Sequence, residues 1–427
     1  MIFNKLKFEK MRKSIIVLLL MLFTSTGLFA QVFTFSGEFR PRLELRHGYR
    51  TLPPVDAEMA AFVSQRSRLN MMYESKILRI FASVQEVRTW GGKGMFEVEP
   101  GLGFHQAYAE IPFLNYFSLK IGRQELRYNN QRLFGINNWN QNGRTHDAAI
   151  FKFMNDGWSV HLGTAFNQSR ENTFGTYYDG SEYKSLNYLW IDKKIGDVNL
   201  NGMAVIDGYQ SVLLSSKTYF RSTFGGIVNW KLNKHALEFH AFRQGGKNPD
   251  SQKINAWYLN IVARFNPVNE FNLAIGSEVF SGNDHKKSED RFRVFNPLYG
   301  GVHIHNGHLD YFADIPKSTK NAGLINPYLN LAYAIDSKKT VKADYHLFAL
   351  NGNVLDSKGD PIKKYLGSEL DLAFQLTFSK AIDLQFGYST MFASKSMEFL
   401  KPLGSSEEPV HWGWMMLTVK PLFFVNK

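Results

Sequence analysis

Residues 33 to 46 alternate between apolar and polar side chains with a period of two. The apolar positions are Phe33, Phe35, Phe39, Leu43 and Leu45. The intervening polar positions are Thr34, Ser36, Glu38, Arg40, Arg42, Glu44 and Arg46. Successive side chains of a β-strand point to opposite faces, so this segment is predicted to be a strand with one apolar and one charged face.

The same alternation recurs later in the chain, at 254–265, 341–349 and 366–379. Short polar turns are predicted at 155–157, 195–197, 233–234, 266–269, 336–338 and 379–381. Long irregular segments are predicted at about 47–61, 91–102, 128–143, 168–183, 245–252, 282–321 and 351–364. Short turns that alternate with long loops are typical of outer-membrane barrels, whose short turns face the periplasm. We therefore predict an all-β fold, a transmembrane antiparallel β-barrel of about 18 strands with short periplasmic turns and long extracellular loops.

The competing fold is a soluble secreted β-sandwich or β-propeller, which also alternates apolar and polar residues. It fits less well, because the face opposite the aromatic residues carries full charges at successive positions, as a watery lumen does. After the N-terminal segment, no apolar run approaches the ~20 residues of a transmembrane helix. The chain contains no cysteine, so disulfide bonds do not stabilise it.

Residues 1–30 have the pattern of a secretory signal peptide. Five basic residues precede the apolar run at 15–23, and a short segment that ends in Ala30 follows it. The run is too short to span a bilayer, although an uncleaved anchor helix is the alternative interpretation. We expect residues 1–30 to be removed and residues 31–427 to form a single barrel domain in the bacterial outer membrane.

The charge of the chain suggests what lines the lumen. The formal net charge is +12, and residues 1–30 hold five basic residues and one acidic residue, which leaves about +8 for the rest. Several arginines lie on the polar face of the first two predicted strands and are expected to project into the lumen. They are Arg40, Arg42, Arg46, Arg66 and Arg68. Arginine pairs with carboxylates and phosphates, so these residues predict a path for anionic solutes. The alternative is a structural ladder in which they pair with Glu38, Glu44 and Glu86.

Residues 121–150 concentrate arginine beside Trp139 and contain few acids. The arginines are Arg123, Arg127, Arg132 and Arg144. We interpret this block as the end of one strand, an inward-folded loop and the start of the next strand. Arg123, Arg132 and Arg144 would line a constriction, with Asp147 as counter-ion and Trp139 packing the loop. The alternative is an exposed extracellular loop with scattered charges.

The block resembles a known family, the alginate export outer-membrane barrels. The resembling residues are Gly122-Arg123-Gln124-Glu125, Arg132-Leu133-Phe134-Gly135, Trp139 and Gly143-Arg144-Thr145-His146-Asp147. A second segment that is similar to the family contains Pro297, His303, Gly307, Asp310 and Phe312. The stretches RPRLELRHG and QRSRL, at 40–48 and 65–69, look like the first two strands of the family. The resemblance implies an eighteen-stranded barrel that exports a polyuronate through an electropositive constriction.

Arg123 raises a question of register. It shares its parity with the apolar residues Phe117, Leu119 and Ile121, which would direct the guanidinium toward lipid. An arginine at the middle of the membrane costs about 2 to 4 kcal/mol in a barrel. We predict a bulge at Gly122 that turns Arg123 inward. The alternative places Arg123 beyond the apolar band.

The leading functional hypothesis is an outer-membrane channel that passes an anionic polysaccharide or oligosaccharide, similar to alginate, through an arginine-lined lumen. The alternative is an uptake porin for small anionic nutrients such as uronates or carboxylates, and a third is a structural barrel with a closed lumen. Expected partners are an anionic glycan or small anionic solute, outer-membrane lipid and lipopolysaccharide. Periplasmic export proteins are implied only by the export interpretation, and no nucleic acid is expected.

Two further interpretations are disfavoured. His303, His305 and His308 have a spacing that suggests a metal site, but the sequence places no cysteine or cluster of carboxylates beside them. Asn283-Asp284-His285 suggests a hydrolase, but no nucleophile elbow accompanies it. We therefore predict no metal, no cofactor and no enzymatic activity.

Overall fold

The computed structural model describes residues 31–96, 101–178, 180, 182–211, 217–287, 290–301 and 303–426 of the 427-residue chain. The predicted signal peptide, residues 1–30, lies outside the described residues. The strands are β1 Val32–His47, β2 Ala60–Glu74, β3 Arg79–Thr89, β4 Gly103–Phe113, β5 Phe117–Gln124, β6 His146–Asn155, β7 Trp158–Phe166, β8 Ser185–Ile195, β9 Val198–Gln210, β10 Thr218–Leu232, β11 His235–Gly246, β12 Ala256–Phe265, β13 Phe271–Phe280, β14 Leu324–Ala334, β15 Lys339–Leu350, β16 Tyr365–Ser379, β17 Ile382–Ala393, β18 Val410–Val419 and β19 Leu422–Val425. Two short helices lie between strands, α1 Ile315–Ser318 and α2 Lys395–Leu400.

Antiparallel pairing closes the sheet on itself. Each strand from β1 to β18 pairs with its neighbours in the chain, and β1 also pairs with β18 and with β19. The final strand is split between Val419 and Leu422 because Pro421 has no N–H to donate to the ladder. There the N–H of Gly37 donates to the Pro421 carbonyl at 2.9 Å. Within the described residues the wall thus has 18 strand positions, which confirms the predicted barrel.

Short turns lie at one end of the barrel and long loops at the other. All six predicted turns join consecutive strands, and two further short turns lie at 75–78 and 114–116. The described residues of the long segments predicted from the sequence all lie at the opposite end. The sequence analysis missed two connections between described strands at that end. One joins β9 to β10, of which residues 211 and 217 are described, and the other is 394–409 between β17 and β18, which contains α2.

The alternation seen in the sequence separates the two faces of the wall. On β1, Phe39 and Leu45 are 41% and 42% exposed on the outside of the barrel. Arg40, Arg42 and Glu44 are 3%, 5% and 0% exposed and face the lumen. The predicted placement of the apolar face outside and the charged face inside is therefore correct for this strand. Among the described residues, no helix has the length and hydrophobicity that a transmembrane helix needs.

The apolar core of the protein lies inside the barrel, where two long loops enter the lumen. We call residues 125–145 the first inward loop, and residues 281–323, apart from 288, 289 and 302, the second inward loop. Their buried apolar residues include Leu126, Leu133, Phe134, Phe295, Tyr299, Leu309, Tyr311 and Phe312. The predicted inward position of the first loop is thus what the structure shows.

Backbone hydrogen bonds join the two inward loops to each other. The N–H of Gly135 donates to the Tyr299 carbonyl at 2.9 Å, and the N–H of Tyr299 donates to the Leu133 carbonyl at 2.9 Å. A third bond runs from the Gly301 N–H to the Gln131 carbonyl at 2.8 Å. A Cβ atom on Gly135 would lie 2.4 Å from the Gly301 nitrogen, so this close approach requires glycine. The loops therefore form one hydrogen-bonded body within the lumen.

Candidate lumenal transport site

Arginines on β1 and β2 bind the first inward loop. The Nε and Nη2 atoms of Arg40 donate to Gln141 Oε1 at 3.1 and 2.8 Å. Arg66 is 1% exposed and donates from Nε to Glu38 Oε1 at 2.9 Å. Its other nitrogens donate to Asn138 Oδ1 at 3.0 Å and to the Gln141 carbonyl at 3.3 Å. Both guanidiniums thus supply the donors that this loop, buried away from bulk water, needs.

Arg68 makes the same kind of contact two residues further along β2, on the same face of the strand. Its Nε donates to Gln85 Oε1 at 2.8 Å, and its Nη2 donates to the Asn142 carbonyl at 3.3 Å. Neither contact of Arg68 involves a carboxylate, and the same holds for Arg40. The wall formed by β1 and β2 therefore carries more positive charge than Glu38 and Glu44 can offset. We call it the basic wall.

Arg42 and Arg46 share one buried carboxylate. Arg42 Nε donates to Glu44 Oε1 at 2.9 Å, and Arg46 donates to Glu44 Oε2 at 3.0 and 2.7 Å. The Trp412 indole N–H also donates to Glu44 Oε2, at 3.1 Å. Arg42 reaches the loop as well, through a bond of 2.7 Å from Nη1 to the Trp139 carbonyl. Glu86 does not join this ladder but pairs with Arg88 at 2.6 Å.

Trp139 lies where the two loops and the wall meet. Its ring stacks on His303 with 4.2 Å between centroids and lies 5.4 and 4.9 Å from the rings of Trp412 and Trp414. The Arg42 guanidinium lies 3.9 Å from the centre of the Trp139 ring. This aromatic contact fixes the first inward loop against β18 and against the second loop.

The structure places Arg123 and Asp147 outside the lumen. Their side chains pair at 3.0 Å and are 44% and 61% exposed, on the same face as Ile121. The predicted bulge at Gly122 is not present, because the ladders of β5 with β4 and with β6 continue through this residue without a shift. Arg123 is instead the second-to-last residue of β5, just before the first inward loop, and its guanidinium pairs with the Asp147 carboxylate. This outward position corrects the prediction that both residues line the pore.

Arg132 and Arg144 lie inside, on the side of the lumen that faces the long loops. Arg132 is 4% exposed and donates to Glu278 Oε2 at 2.6 Å. Arg144 donates from Nη1 to the Gly300 carbonyl at 2.8 Å. Burial lowers the pKa of Arg144, and the carboxylate of Glu182 opposes that shift. Both arginines line a cavity of about 210 Å³.

Carboxylates on β16 bind the second inward loop, and the sequence analysis did not single them out. Glu369 and Asp371 are 0% and 1% exposed. The Leu309 N–H donates to Glu369 Oε1 at 2.7 Å, and the His308 N–H donates to Asp371 Oδ2 at 3.2 Å. The available signal was a pair of acids two residues apart on the polar face of a predicted strand. We call β13 to β16 the acidic wall, since Glu278 lies on the same side.

Histidines cluster at the tip of the second inward loop. His303 lies 3.2 Å from Asp310, and His308 lies 3.9 Å from Asp344 and 3.8 Å from Asp371. Within the part of the chain that the structure describes, no three His, Cys, Asp or Glu side chains are arranged to hold a metal ion. His303 packs against Trp139 and Trp412, whereas His308 faces Asp344 and Asp371 of the acidic wall.

The inward loops divide the lumen into chambers. The outer chamber, on the long-loop side, has about 620 Å³ and continues into the cavity of about 210 Å³ beside Arg132, with which it shares Glu182 and Tyr299. On the short-turn side, a basic chamber of about 380 Å³ is lined by Arg40, Arg127 and Lys420. A further cavity of about 210 Å³ on that side is lined by four asparagines together with Glu238, Arg264 and Glu278, and is called the amide chamber. Its asparagines are Asn130, Asn260, Asn326 and Asn330.

Comparison with solved structures supports the architecture. Pseudomonas aeruginosa OpdL superposes with a TM-score of 0.62 at 10% identity, over 92% of this chain and 99% of that chain. Acinetobacter baumannii OccAB4 gives a TM-score of 0.62 at 11% identity, over 93% and 99%. Pseudomonas aeruginosa OpdQ gives 0.60 at 11% identity, over 92% and 98%. At such low identities these similarities show the fold alone.

Comparison of sequences identifies the family. No curated protein matches the chain. A family model described as alginate export matches residues 100–398, which is more than half of the chain and includes both inward loops. With its closed wall, apolar exterior and polar lumen, the protein is a channel of the bacterial outer membrane. The chain belongs to the alginate export family.

Proposed function

We propose that the protein conducts small anionic saccharides, of the size and charge of a uronate or a short acidic oligosaccharide, across the outer membrane. The basic chamber is the observation that carries this proposal. Arg40, Arg127 and Lys420 line it, and Asp383 is the one carboxylate among its described lining residues. Its volume of about 380 Å³ falls in the range of small-molecule sites, about 300 to 1,000 Å³.

Arg127 is the residue of this chamber that is most available to a solute. Its side chain is exposed to the lumen, and among the described residues it has no hydrogen-bond or ion-pair partner. Lys420 is also accessible, with Nζ at 4.0 Å from Glu38. By contrast, the guanidiniums of the basic wall are occupied by loop carbonyls and amides. The chamber thus offers a few weak, exchangeable contacts, which conduction requires because tight binding would block the channel.

The division of the lumen favours small solutes over a polymer. A polymer needs a continuous opening along the barrel, so both inward loops would have to leave the lumen together with their buried aromatic core. A solute that fits into one chamber needs only local rearrangement at each partition. Export of an anionic polysaccharide is the second candidate, and membership of the alginate export family favours it.

The test is ion selectivity of the refolded protein in a planar bilayer under a salt gradient. Anion selectivity is expected, with brief current blocks on addition of glucuronate and a marked loss of selectivity in the Arg127→Gln, Lys420→Gln double variant. The matched control is Arg123→Gln, since this arginine lies outside the lumen. A cation-selective pore, or equal selectivity in the double variant and the wild type, would contradict the proposal. Longer blocks by polyuronate than by glucuronate would favour the second candidate.

A further inference from the structure

A single layer of side chains separates the amide chamber from the cavity of about 210 Å³ beside Arg132. Arg132 and Asn306 line the cavity on the outer side, and Glu278 lines the amide chamber on the short-turn side. The two sides touch, because Arg132 Nη2 lies 2.6 Å from Glu278 Oε2. The ion pair therefore lies in the partition between this cavity and the amide chamber.

Three different elements meet at this partition. Arg132 comes from the first inward loop, Asn306 from the second, and Glu278 from β13. Asn306 accepts from Arg132 Nη2 at 2.7 Å and donates to Glu278 Oε2 at 2.8 Å. The three side chains are 4%, 4% and 3% exposed. The triad thus ties both loops to the acidic wall at one point.

The hydrogen bonds that join the two loops to β13 at this triad are made by side chains. The two loops are joined to each other by backbone bonds, such as that between Gly301 and Gln131, and these do not involve the wall. The contacts of Arg132 and Asn306 with Glu278 are side-chain hydrogen bonds. Side chains at this partition can therefore rotate without breaking the backbone bonds that join the two loops.

Arg132 has an unused donor. Its Nε has no hydrogen-bond partner although it is buried, and the Phe280 ring lies 4.6 Å from the guanidinium. An unpaired donor in an apolar surrounding favours an incoming acceptor strongly, and a carboxylate most of all. Arg144 lines the same cavity and adds positive charge, while Glu182 and Asp314 add negative charge there.

We infer that Arg132, Asn306 and Glu278 form a gate that the carboxylate of a solute opens by replacing Glu278 as the partner of Arg132. The released Glu278 keeps two donors, the Tyr258 hydroxyl at 2.6 Å from Oε1 and the Asn306 amide, so its charge stays stabilised. A neutral sugar of the same size has no group that competes with Glu278. The inference rests on the proposed conduction of anionic saccharides and makes Arg132 the residue that determines specificity.

The experiment measures single-channel currents of the wild type and of Glu278→Gln, first without solute and then with glucuronate or glucose. Glucuronate raises the open probability of the wild type, in addition to the brief blocks of the open pore, and glucose leaves the open probability unchanged. Glu278→Gln removes one charge-assisted bond, so its open probability without solute rises at least about tenfold. Glucuronate then has no further effect on this variant, because the competitor is already gone.

The matched control is Glu238→Gln, which removes a carboxylate that also lines the amide chamber but bonds to His240 and not to Arg132. Its basal current and its response to glucuronate are expected to equal those of the wild type. Heat-modified electrophoretic mobility confirms that each variant forms the barrel. Opening of the wild type by glucose to the same extent as by glucuronate overturns the gate, and so does unchanged basal current in Glu278→Gln. The reversal potential is recorded on the same channels: anion selectivity without a glucuronate response rejects the gate alone, whereas cation selectivity rejects the proposed function.

Discussion

The basic wall and the acidic wall hold the two inward loops by opposite chemistry. On β1 and β2, guanidinium groups donate to carbonyl oxygens of the first loop, among them those of Trp139, Gln141 and Asn142. On β16, carboxylates accept from backbone N–H groups of the second loop at His308 and Leu309. One wall thus supplies donors and the other supplies acceptors.

The difference shows why lumenal charge does not by itself mark a solute path. A loop inside a barrel has backbone groups that are shielded from water, and leaving such a group unpaired costs about 1 to 3 kcal/mol. Charged side chains of the wall form hydrogen bonds with these backbone groups, and the side chains that do so are buried. Arg127 remains accessible because it belongs to the first inward loop itself and is not used to hold that loop against the wall.

The largest expected effect comes from breaking the basic wall at Arg66. Arg66→Met leaves Glu38 without its closest partner and removes bonds to Asn138 and Gln141. Removing one member of a buried pair costs about 3 to 5 kcal/mol, so the free energy of unfolding in urea is expected to fall by that amount. Arg46→Met is the matched control, since Glu44 keeps its bonds to Arg42 and Trp412. Equal losses in the two variants would show that the wall is not specifically anchored through Arg66.

A medium effect is expected at the acidic wall, where the chemistry of the acceptor can be separated from its charge. Glu369→Ala leaves the Leu309 N–H without an acceptor and should weaken the docked second loop by about 1 to 3 kcal/mol. Glu369→Gln keeps a carbonyl acceptor and removes the repulsion between Glu369 and Asp371, so it should be close to neutral. Hydrogen exchange of residues 303–312 measures both effects. Faster hydrogen exchange in the glutamine variant than in the alanine variant would show that the negative charge of Glu369, rather than its acceptor oxygen, holds the loop.

A smaller effect on the docking of the second inward loop is expected when the pH is lowered. Burial lowers the pKa of His305 to about 3, with Arg132 adding to the shift and Glu278 opposing it. In a loosened loop the imidazole returns to its ordinary pKa of about 6.5 and binds a proton that the docked form excludes. Docking is therefore fully stable above pH 6.5 and weakens as the pH falls toward 3, by about 1 kcal/mol between pH 6.5 and 5.5.

The pH prediction is checked by hydrogen exchange of the second loop at pH 7, 6 and 5, after correction for the intrinsic rate. The variant His305→Gln should have a flatter profile. Burial also lowers the pKa of His303, so part of the dependence is expected to remain. A profile that is unchanged by the substitution would assign the acid effect to other groups.

The wall could be predicted from the sequence, whereas the docking of the loops could not. The period-two pattern of residues 33 to 46 depends only on the geometry of a strand, so it placed Arg40, Arg42 and Glu44 inside correctly. The partner of Glu369 is the N–H of Leu309, 60 residues away, and backbone donors leave no trace in a sequence pattern. Glu278, Arg132 and Asn306 likewise come from three separate elements. Such contacts follow from the path of the loops, which the alternation of the strands does not determine.

The smallest expected effect concerns Arg123, where the sequence pattern was overruled in favour of a bulge that is not present. Arg123 keeps the outward parity of Ile121 and forms an exposed pair with Asp147. Exposed ion pairs contribute about 0 to 1 kcal/mol, so Arg123→Ala should change the free energy of unfolding by no more than that and leave ion selectivity unchanged. The measurements are the urea titration used for Arg66→Met and the bilayer recording of ion selectivity under a salt gradient. A loss of anion selectivity in Arg123→Ala would return this arginine to the solute path and would require a different register for β5. An unchanged selectivity would show that the simple alternation of a strand was the better guide at this position and that only inward arginines contribute to the field in the lumen.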